Sequence, residues 1–162
     1  MEQKAVYFFL KKMTLIFIIY STLLSCSNND DEPFTPVNIE FEVIGSGNLL
    51  GAVAEEILPG NYIINNQNDW LVLLNKMNSL DTNTTNDFST ININFQTHII
   101  IAVFDEVRMN NGFLINIENI TENQDNLTVD VVQSNPGSIQ SVITQPYQIV
   151  RIPITNKPIV FE

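Results

Sequence analysis

The apolar run from Phe95 to Phe104 constrains the fold of this chain more than any other segment. It is nearly unbroken and contains three consecutive isoleucines, Ile99 to Ile101. A strand of this composition has apolar side chains on both faces, so both faces must be covered by protein. The run therefore predicts a central strand. His98 lies near its start, where we expect a structural imidazole.

Other segments alternate apolar and polar residues, which is the pattern of half-buried strands. They are Ile39–Val43, Phe113–Ile117 and Leu127–Val131. Further extended segments are predicted at Leu49–Ile57, Tyr62–Ile64, Gln148–Ile154 and Pro158–Phe161. Prolines in the last two indicate sheet edges, because proline cannot donate to a strand ladder.

Short glycine-containing segments predict the turns. Turns are expected at Gly45–Gly47 and at Pro136–Gly137, where glycine is free to adopt a positive φ. Asn111–Gly112 predicts a tight hairpin, since both residues of this pair tolerate a positive φ.

One segment has helical periodicity. Its apolar residues recur at i, i+3, i+4 and i+7: Trp70, Leu73, Leu74 and Met77. Asn66 or Asn68 can cap its start, and Asp69 is placed favourably near the positive end of the helix dipole. Two turns do not persist alone, so the stripe must pack on a sheet. We predict an α+β fold: a curved, mainly antiparallel sheet of about eight strands with one helix packed on it.

Cys26, the only cysteine, follows a lysine-containing start and a short apolar run. The run is about 12 residues long, whereas a membrane-spanning helix needs about 20. A basic start, a short apolar stretch and a small residue form the pattern of a secretory signal peptide. Leu23–Cys26 resembles the lipobox of bacterial lipoproteins, which implies removal of residues 1–25 and acylation of Cys26.

The segment after the cysteine predicts a flexible acidic tether, residues 26–37, followed by a single domain, residues 38–162. Ser27 stands where an aspartate would retain a lipoprotein in the inner membrane, so we expect an exported protein anchored in the outer membrane. Asp30–Glu32 resembles the export signal of surface-displayed lipoproteins. Periplasmic and outward-facing display both stay open.

The charge balance excludes one class of partner. The formal charge of −11 becomes −13 when the leader, with three lysines and one glutamate, is removed. A chain without a basic patch does not bind nucleic acid by neutralising phosphates. A single cysteine also excludes disulfides and zinc–thiolate sites, and we expect no cofactor.

Two segments of the second half carry a family pattern. Asn111, Gly112 and Phe113 open an alternating strand, and Pro136–Gly137 precedes a second segment. The marked positions of that second segment are Thr144, Pro146, Tyr147, Val150 and Pro153. Together they resemble the C-terminal domain of the PrcB-like protease complex subunit family, over about residues 62–161. Members usually carry a glycine and a tyrosine where this chain has Asn111 and Phe113.

The resemblance implies a function through protein contact. Members of the family are typically exported, often lipidated, and associate with a surface protease. The resemblance therefore implies a non-catalytic accessory or assembly subunit. It implies that the subunit is anchored to a membrane through acylated Cys26 and that its partner is a protease or a protease-assembly component. Sheet edges and the Asn110–Asn111 tip are the expected contact surfaces, by strand addition or loop docking.

Two other functions stay open. A pocket between helix and sheet would bind a small molecule, a glycan or a peptide. A hydrolase built on carboxylates would need at least two buried acids with raised pKa facing one cleft. A Ser-His-Asp site is not expected, because the chain has no Gly-x-Ser-x-Gly elbow.

Charged and oxygen-rich positions are the remaining candidates for binding sites. A loop resembling the start of a calcium-binding EF-hand contains Asp81, Asn83, Thr85 and Asp87. Because Asn86 replaces its glycine and Asn92 its closing glutamate, we expect a solvated loop, with a weak calcium site as the alternative. Arg108 and Arg151 are expected in structural ion pairs, with contact to an acidic partner as the alternative.

Overall fold

The computed structural model describes residues 33–51, 57–79, 83–135, 137 and 140–162, and Phe34–Glu162 form a compact unit. The described residues contain one helix, α1 (Gln67–Met77), and eight strands. The strands are β1 (Val37–Asn38), β2 (Glu42–Leu50), β3 (Gly60–Ile64), β4 (His98–Phe104), β5 (Leu114–Glu122), β6 (Leu127–Ser134), β7 (Thr144–Pro153) and β8 (Ile159–Phe161). None of the described helical structure is long and apolar enough to cross a membrane. Cys26 and the predicted leader lie outside the described residues.

The eight strands form two four-stranded sheets. The inner sheet has the order β2-β7-β4-β3 and the outer sheet the order β1-β5-β6-β8. Every pair is antiparallel except β6 with β8. The predicted α+β class, with about eight strands and one helix, is confirmed. The strands do not form one curved sheet, because the inner sheet is apolar on both faces and requires a second layer on each.

The predicted central strand is β4, which lies between β7 and β3. Its residues Ile100, Ala102 and Phe104 belong to a core on the helix side. The intervening residues Ile99, Ile101 and Val103 belong to a core between the two sheets. The unbroken apolar run therefore serves two cores at once, as its sequence predicted.

The predicted helix is confirmed, including its cap and its buried stripe. The Asn66 side chain accepts a hydrogen bond from the backbone N–H of Asp69 at 3.0 Å, which satisfies one free donor of the first turn. Asp69 in the first turn and Lys76 in the last turn both oppose the helix dipole. The buried residues of α1 face the helix-side core: Trp70, Leu73, Leu74 and Met77.

The prediction that Pro153 places its strand, β7, at a sheet edge is wrong, since β7 is paired on both sides, with β2 and β4. Pro153 is the last residue of β7 and lies beyond its last pair with β2, which is Glu42 with Arg151. The strand also contains a second proline, Pro146. Pro146 lies level with Asp105, just beyond the end of β4, and its carbonyl accepts from the Asp105 N–H at 2.9 Å. An ordinary residue at 146 would donate its own N–H back to the Asp105 carbonyl. The Gln145 side chain makes that bond instead, at 3.1 Å, so the ladder tolerates the proline. β8 is an edge strand, as predicted.

The prediction of a turn at Gly45–Gly47 is also wrong, because these residues lie inside β2. The register shifts between Val43 and Gly45, which marks a bulge in the pairing with β7. A Cβ on Gly45 would lie 2.8 Å from the ring of Phe88. The glycine thus allows the Phe88 ring to pack closely against β2. Glycine inside a strand often marks a bulge or such a close approach.

Asn111–Gly112 does not form a hairpin. The strands on either side, β4 and β5, belong to different sheets. Gly112 has φ 96°, but Asn111 has no positive φ, so the two-residue turn that the pair predicts is not formed. The preceding segment crosses from one sheet to the other instead.

The first described residues belong to the outer sheet. Val37 and Asn38 pair with Glu122 and Thr121 at the end of β5, rather than continuing into a strand through Val43. Ile39 and Phe41 pack against the inter-sheet core on the way to β2. The compact unit thus begins at Phe34, whose ring lies 4.7 Å from Lys157 Nζ.

Candidate functional site

Residues 105–113, here called the apical connector, join β4 of the inner sheet to β5 of the outer sheet. Its backbone is held by the segment that leads into β7. Arg108 and Thr144 exchange two backbone hydrogen bonds of 2.7 and 2.9 Å. The Asn111 side chain donates to the Gln140 side chain at 2.7 Å. The connector is thus fixed at its middle and near its end.

A buried ion pair fixes the start of the connector. The Asp105 side chain is fully buried and accepts from Arg108 through both oxygens, with Nη2–Oδ1 2.8 Å and Nε–Oδ2 3.0 Å. Gln133 of β6 and the backbone N–H of Glu106 also donate to Oδ1, at 2.9 and 2.7 Å. A buried carboxylate needs such partners because water cannot solvate it. The structural reading of Arg108 is therefore confirmed.

The environment of Arg108 stabilises its charged form. Hydrogen bonding to the Asp105 carboxylate raises the pKa of the guanidinium above its ordinary value, partly opposed by desolvation, and Glu106 adds a further attraction. The guanidinium carbon lies 4.7 Å from the centroid of the Phe113 ring, within the range of a cation–π contact. Arg108 therefore links Asp105, at the end of β4, to Phe113, just before β5.

The described family-pattern residues are mostly structural supports of this region. Thr144 Oγ1 donates to the Asn110 carbonyl at 3.1 Å, and the Tyr147 ring stacks on Phe104 with centroids 6.0 Å apart. Val150 lies in the inter-sheet core, and Pro153 ends β7. Gly137 has φ 93°, which favours glycine, while Pro136 lies outside the described residues. The pattern thus maintains the shape of the connector and its sheet.

An exposed apolar patch surrounds this support. The apical patch, as we call it, consists of Leu50, Val107, Met109, Val142 and Ile143. The Gly51 N–H donates to the Ile143 carbonyl at 3.1 Å, which brings the end of β2 beside residues 142–143. The Arg108–Thr144 bridge brings Met109, 75% exposed, to the other side. Exposed apolar patches of this kind mark interaction sites.

Sequence reasoning missed the apical patch. Its members come from three separate segments, and single apolar residues in loops carry no signal by themselves. Of the predicted contact surfaces, which were the sheet edges and the tip at Asn110–Asn111, the tip lies directly beside Met109.

The calcium-loop residues do not converge in the described part of the chain. Thr85 is buried, and its hydroxyl accepts from the Asn78 side chain at 2.6 Å. The Asn83 side chain accepts from Asn86 at 2.9 Å, and Asp87 is exposed. Asp81 lies outside the described residues. No cluster of three metal-ligating His, Cys, Asp or Glu side chains occurs in the described ranges.

The other candidate residues have structural partners. The Nδ1 of His98 lies 2.8 Å from the Thr97 hydroxyl, and Arg151 pairs with Glu42. Asp105 is the one fully buried acid among the described residues. The pair of buried acids that a carboxylate hydrolase requires is therefore not found in this part of the chain.

Two clefts flank β3, the edge strand of the inner sheet. A groove of about 390 Å³ lies between β3 and α1, bordered by Leu58, Tyr62 and Val72. A second cleft of about 450 Å³ lies between the two sheets, bordered by Asn61, Glu106, Gln133 and other residues. The pocket predicted between helix and sheet is thus represented by a groove at the sheet edge.

The comparison with known families gives one result. Residues 99–153 match the family model described as PrcB C-terminal. No curated protein and no solved structure matches the chain. The match runs from the second residue of β4 to the last of β7, so it includes the whole apical connector and its supports. The resemblance to this family is confirmed over residues 99–153, which are similar to the PrcB C-terminal model.

Proposed function

We propose that this chain is a non-catalytic accessory subunit of a protease complex, anchored to a membrane by acylated Cys26. It contacts its protein partner through the apical patch. The PrcB C-terminal match over residues 99–153 supports an association with a protease complex. The observation that carries the proposal is the exposed, apolar Met109 on a connector whose backbone is fixed by its neighbours.

A fixed apolar surface suits protein contact for a physical reason. Association costs less when the contacting loop is already ordered, because little conformational freedom is lost. The Asp105–Arg108 pair and the Arg108–Thr144 bridge order the apical connector before any partner arrives. Apolar side chains at its surface then supply binding through burial, at about 25 cal/mol per Å² of apolar area.

A non-catalytic role is supported by how the buried polar groups are used. Asp105 is bonded to Arg108, Gln133 and a backbone N–H, which leaves it occupied by structure. The Gln145 side chain donates to two backbone carbonyls, those of Ile57 and Asp105. The Asp105 and Gln145 side chains therefore stabilise the fold. The surface that they support consists of apolar side chains rather than reactive groups.

The geometry of the chain start fits an anchored subunit. β1 pairs with the C-terminal end of β5, whereas the apical connector leads into its N-terminal end. β5 has nine residues, which span about 30 Å. β1 and the apical connector therefore lie about one strand length apart along β5. Anchoring raises the effective concentration for a partner on the same membrane.

Site-specific photocrosslinking in intact source cells tests the partner contact. A photoreactive residue at Met109 is expected to give an adduct that contains a protease or a protease-assembly component, identified by mass spectrometry. The matched control is Ile154, which is also exposed but lies at the opposite end of β7. Equal adducts from both positions, or none from Met109, would contradict the proposal.

The anchor has its own test. Cys26→Ser is expected to move the protein from the membrane fraction to the soluble fraction, because the acyl chains supply the membrane affinity. Ser27→Ala, at the next position, should leave the fractionation unchanged. An N-terminal peptide without a lipid mass in the wild-type protein would overturn this part of the proposal.

A further inference from the structure

Among the described residues, β3 has a strand partner on one side only, and its outer edge can be identified from the hydrogen-bond pattern of β4. The Asp105 N–H donates to the Pro146 carbonyl and the Ile154 N–H to the Thr97 carbonyl, so odd-numbered residues of β4 face β7. Antiparallel ladders alternate, so even-numbered residues of β4 bond to β3. Their partners are Gly60, Tyr62 and Ile64. The backbone N–H and C=O groups of Asn61 and Ile63 therefore point away from the sheet, at its edge.

Both faces of this edge are concave. The groove against α1 lies on one face, with a volume of about 390 Å³, and the inter-sheet cleft lies on the other, with about 450 Å³. A strand added to β3 would direct successive side chains alternately to the two faces. Main-chain bonds supply affinity in such complexes, and the pockets for alternate side chains supply specificity.

The two clefts differ in chemistry. The groove is bordered by exposed apolar side chains, among them Leu58 and Val72, and by the charged residues Asp69 and Lys76 of α1. The inter-sheet cleft has polar residues at its border, and the Glu106 side chain there is 73% exposed. The whole chain has a formal charge of −11, which attracts basic segments. The occupant that matches both clefts alternates apolar with basic residues.

We propose that the edge of β3 binds an extended segment of a partner protein as an added strand, with apolar side chains in the α1 groove and basic side chains in the inter-sheet cleft. This inference rests on the proposed function for the origin of the segment, because the segment belongs to the subunit's protein partner. β3, α1 and the groove between them lie outside the family match of residues 99–153, whereas the inter-sheet cleft is bordered partly by residues within it.

Binding of a designed peptide to the full-length protein in detergent tests the site. The probe is a fluorescein-labelled octapeptide of alternating lysine and valine, and its control has the same composition arranged as four lysines followed by four valines. Fluorescence anisotropy is expected to give at least tenfold tighter binding of the alternating peptide. Equal binding of the two peptides would mean adhesion by charge alone and would overturn the proposal.

Substitutions at the edge strand separate strand addition from other binding modes. Ile63→Pro removes one outward N–H without removing a bond to β4, and is expected to weaken binding about tenfold. Ile63→Val retains the N–H and should bind within about twofold of wild type. Circular dichroism establishes that both variants are folded. Equal binding by two folded variants would overturn the proposal.

A second pair of variants leaves β3 untouched. Val72 borders the groove, while its neighbour Leu71 is similarly exposed but does not border it. Val72→Lys is expected to weaken binding of the alternating peptide at least fivefold, whereas Leu71→Lys is expected to weaken it less than twofold. If neither changes binding, the groove is not the site. Crosslinking from Met109 is independent, so a failure of peptide binding and a failure of the proposed function can be distinguished.

Discussion

The inner and outer sheets have four strands each but differ in how they are covered. The inner sheet contacts α1 on one face and the outer sheet on the other, and six of the seven residues of β4 are buried. In β6 of the outer sheet, Leu127 and Val129 are buried, whereas Thr128 between them and Asp130 after them are partly exposed. Coverage on both faces therefore distinguishes the two sheets, rather than strand number or direction.

This difference determines where polar groups need partners. Gln148 of β7 is buried, and its Oε1 accepts from the backbone N–H of Ile117 at 2.6 Å. Ile117 lies at a bulge in β5, where the register shifts, so the inner sheet completes the hydrogen bonding of the outer one. The buried Gln148 Oε1 is thus satisfied inside the protein. We therefore expect substitutions in the inner sheet to lower the free energy of unfolding more than substitutions in the outer sheet.

The largest expected effect is loss of a core side chain from the inner sheet. Phe104→Ala removes a buried ring that contacts Tyr62 and Tyr147, and we expect a loss of about 3–5 kcal/mol in the free energy of unfolding. Val160→Ala, on the edge strand β8, should cost less than about 0.5 kcal/mol. Urea unfolding followed by the fluorescence of Trp70 measures both. Similar costs for the two variants would contradict the comparison.

The second test compares two arginines whose side chains are both 25% exposed. Arg108→Met leaves the Asp105 carboxylate, which is 0% exposed, without its main partner, and is expected to cost about 3 kcal/mol. Arg151→Met leaves Glu42, 56% exposed, to be solvated by water, and should cost less than about 1 kcal/mol. The same unfolding measurement applies. Equal losses in the free energy of unfolding would show that burial of the Asp105 carboxylate does not determine the effect of removing its arginine partner.

A smaller effect is expected where β2 contacts an aromatic ring. Gly45→Ala would place a Cβ 2.8 Å from Phe88 and force the ring or the strand to move, at about 2 kcal/mol. Ser46→Ala, at the next and exposed position, should change the free energy of unfolding by less than about 0.5 kcal/mol. A neutral Gly45→Ala variant would mean that the Phe88 ring relaxes freely.

The smallest expected effect comes from ionisation of Tyr147. It is zero at neutral pH and lowers the free energy of unfolding only at alkaline pH. Burial, with a contribution from the Asp87 carboxylate, raises the pKa of Tyr147 above its ordinary value of 10.0. Above pH 10 the unfolded chain therefore releases this proton before the folded protein does, so stability falls as pH rises through the folded pKa. Tyr147→Phe should lose less stability than wild type between pH 9 and about pH 11. Parallel pH profiles of the two proteins would contradict this assignment.

Sequence reasoning was accurate for features that depend on local periodicity and wrong for features that depend on tertiary pairing. The β4 run and the α1 stripe were predicted correctly, because local periodicity reports directly on burial. The position of β7 was predicted wrongly, because Pro153 lies at the last residue of the strand, beyond its pairing with β2, and does not interrupt the ladder. The hairpin at Asn111–Gly112 was wrong for a related reason: turn propensity is local, whereas assignment of β4 and β5 to different sheets depends on what each strand packs against.

The sequence by itself determined the α+β class, the helix with its cap, the central strand and the resemblance to the PrcB family. These follow from periodicity, capping chemistry and turn residues, all of which act over a few neighbouring positions. Only the tertiary structure decided that Asp105 and Arg108 form a buried pair and that Leu50, Met109 and Ile143 share a surface. It also decided that the outer edge of β3, which is unpaired within the described part of the chain, lies between two clefts. Each of these depends on contacts between residues distant in sequence or on the environment around them.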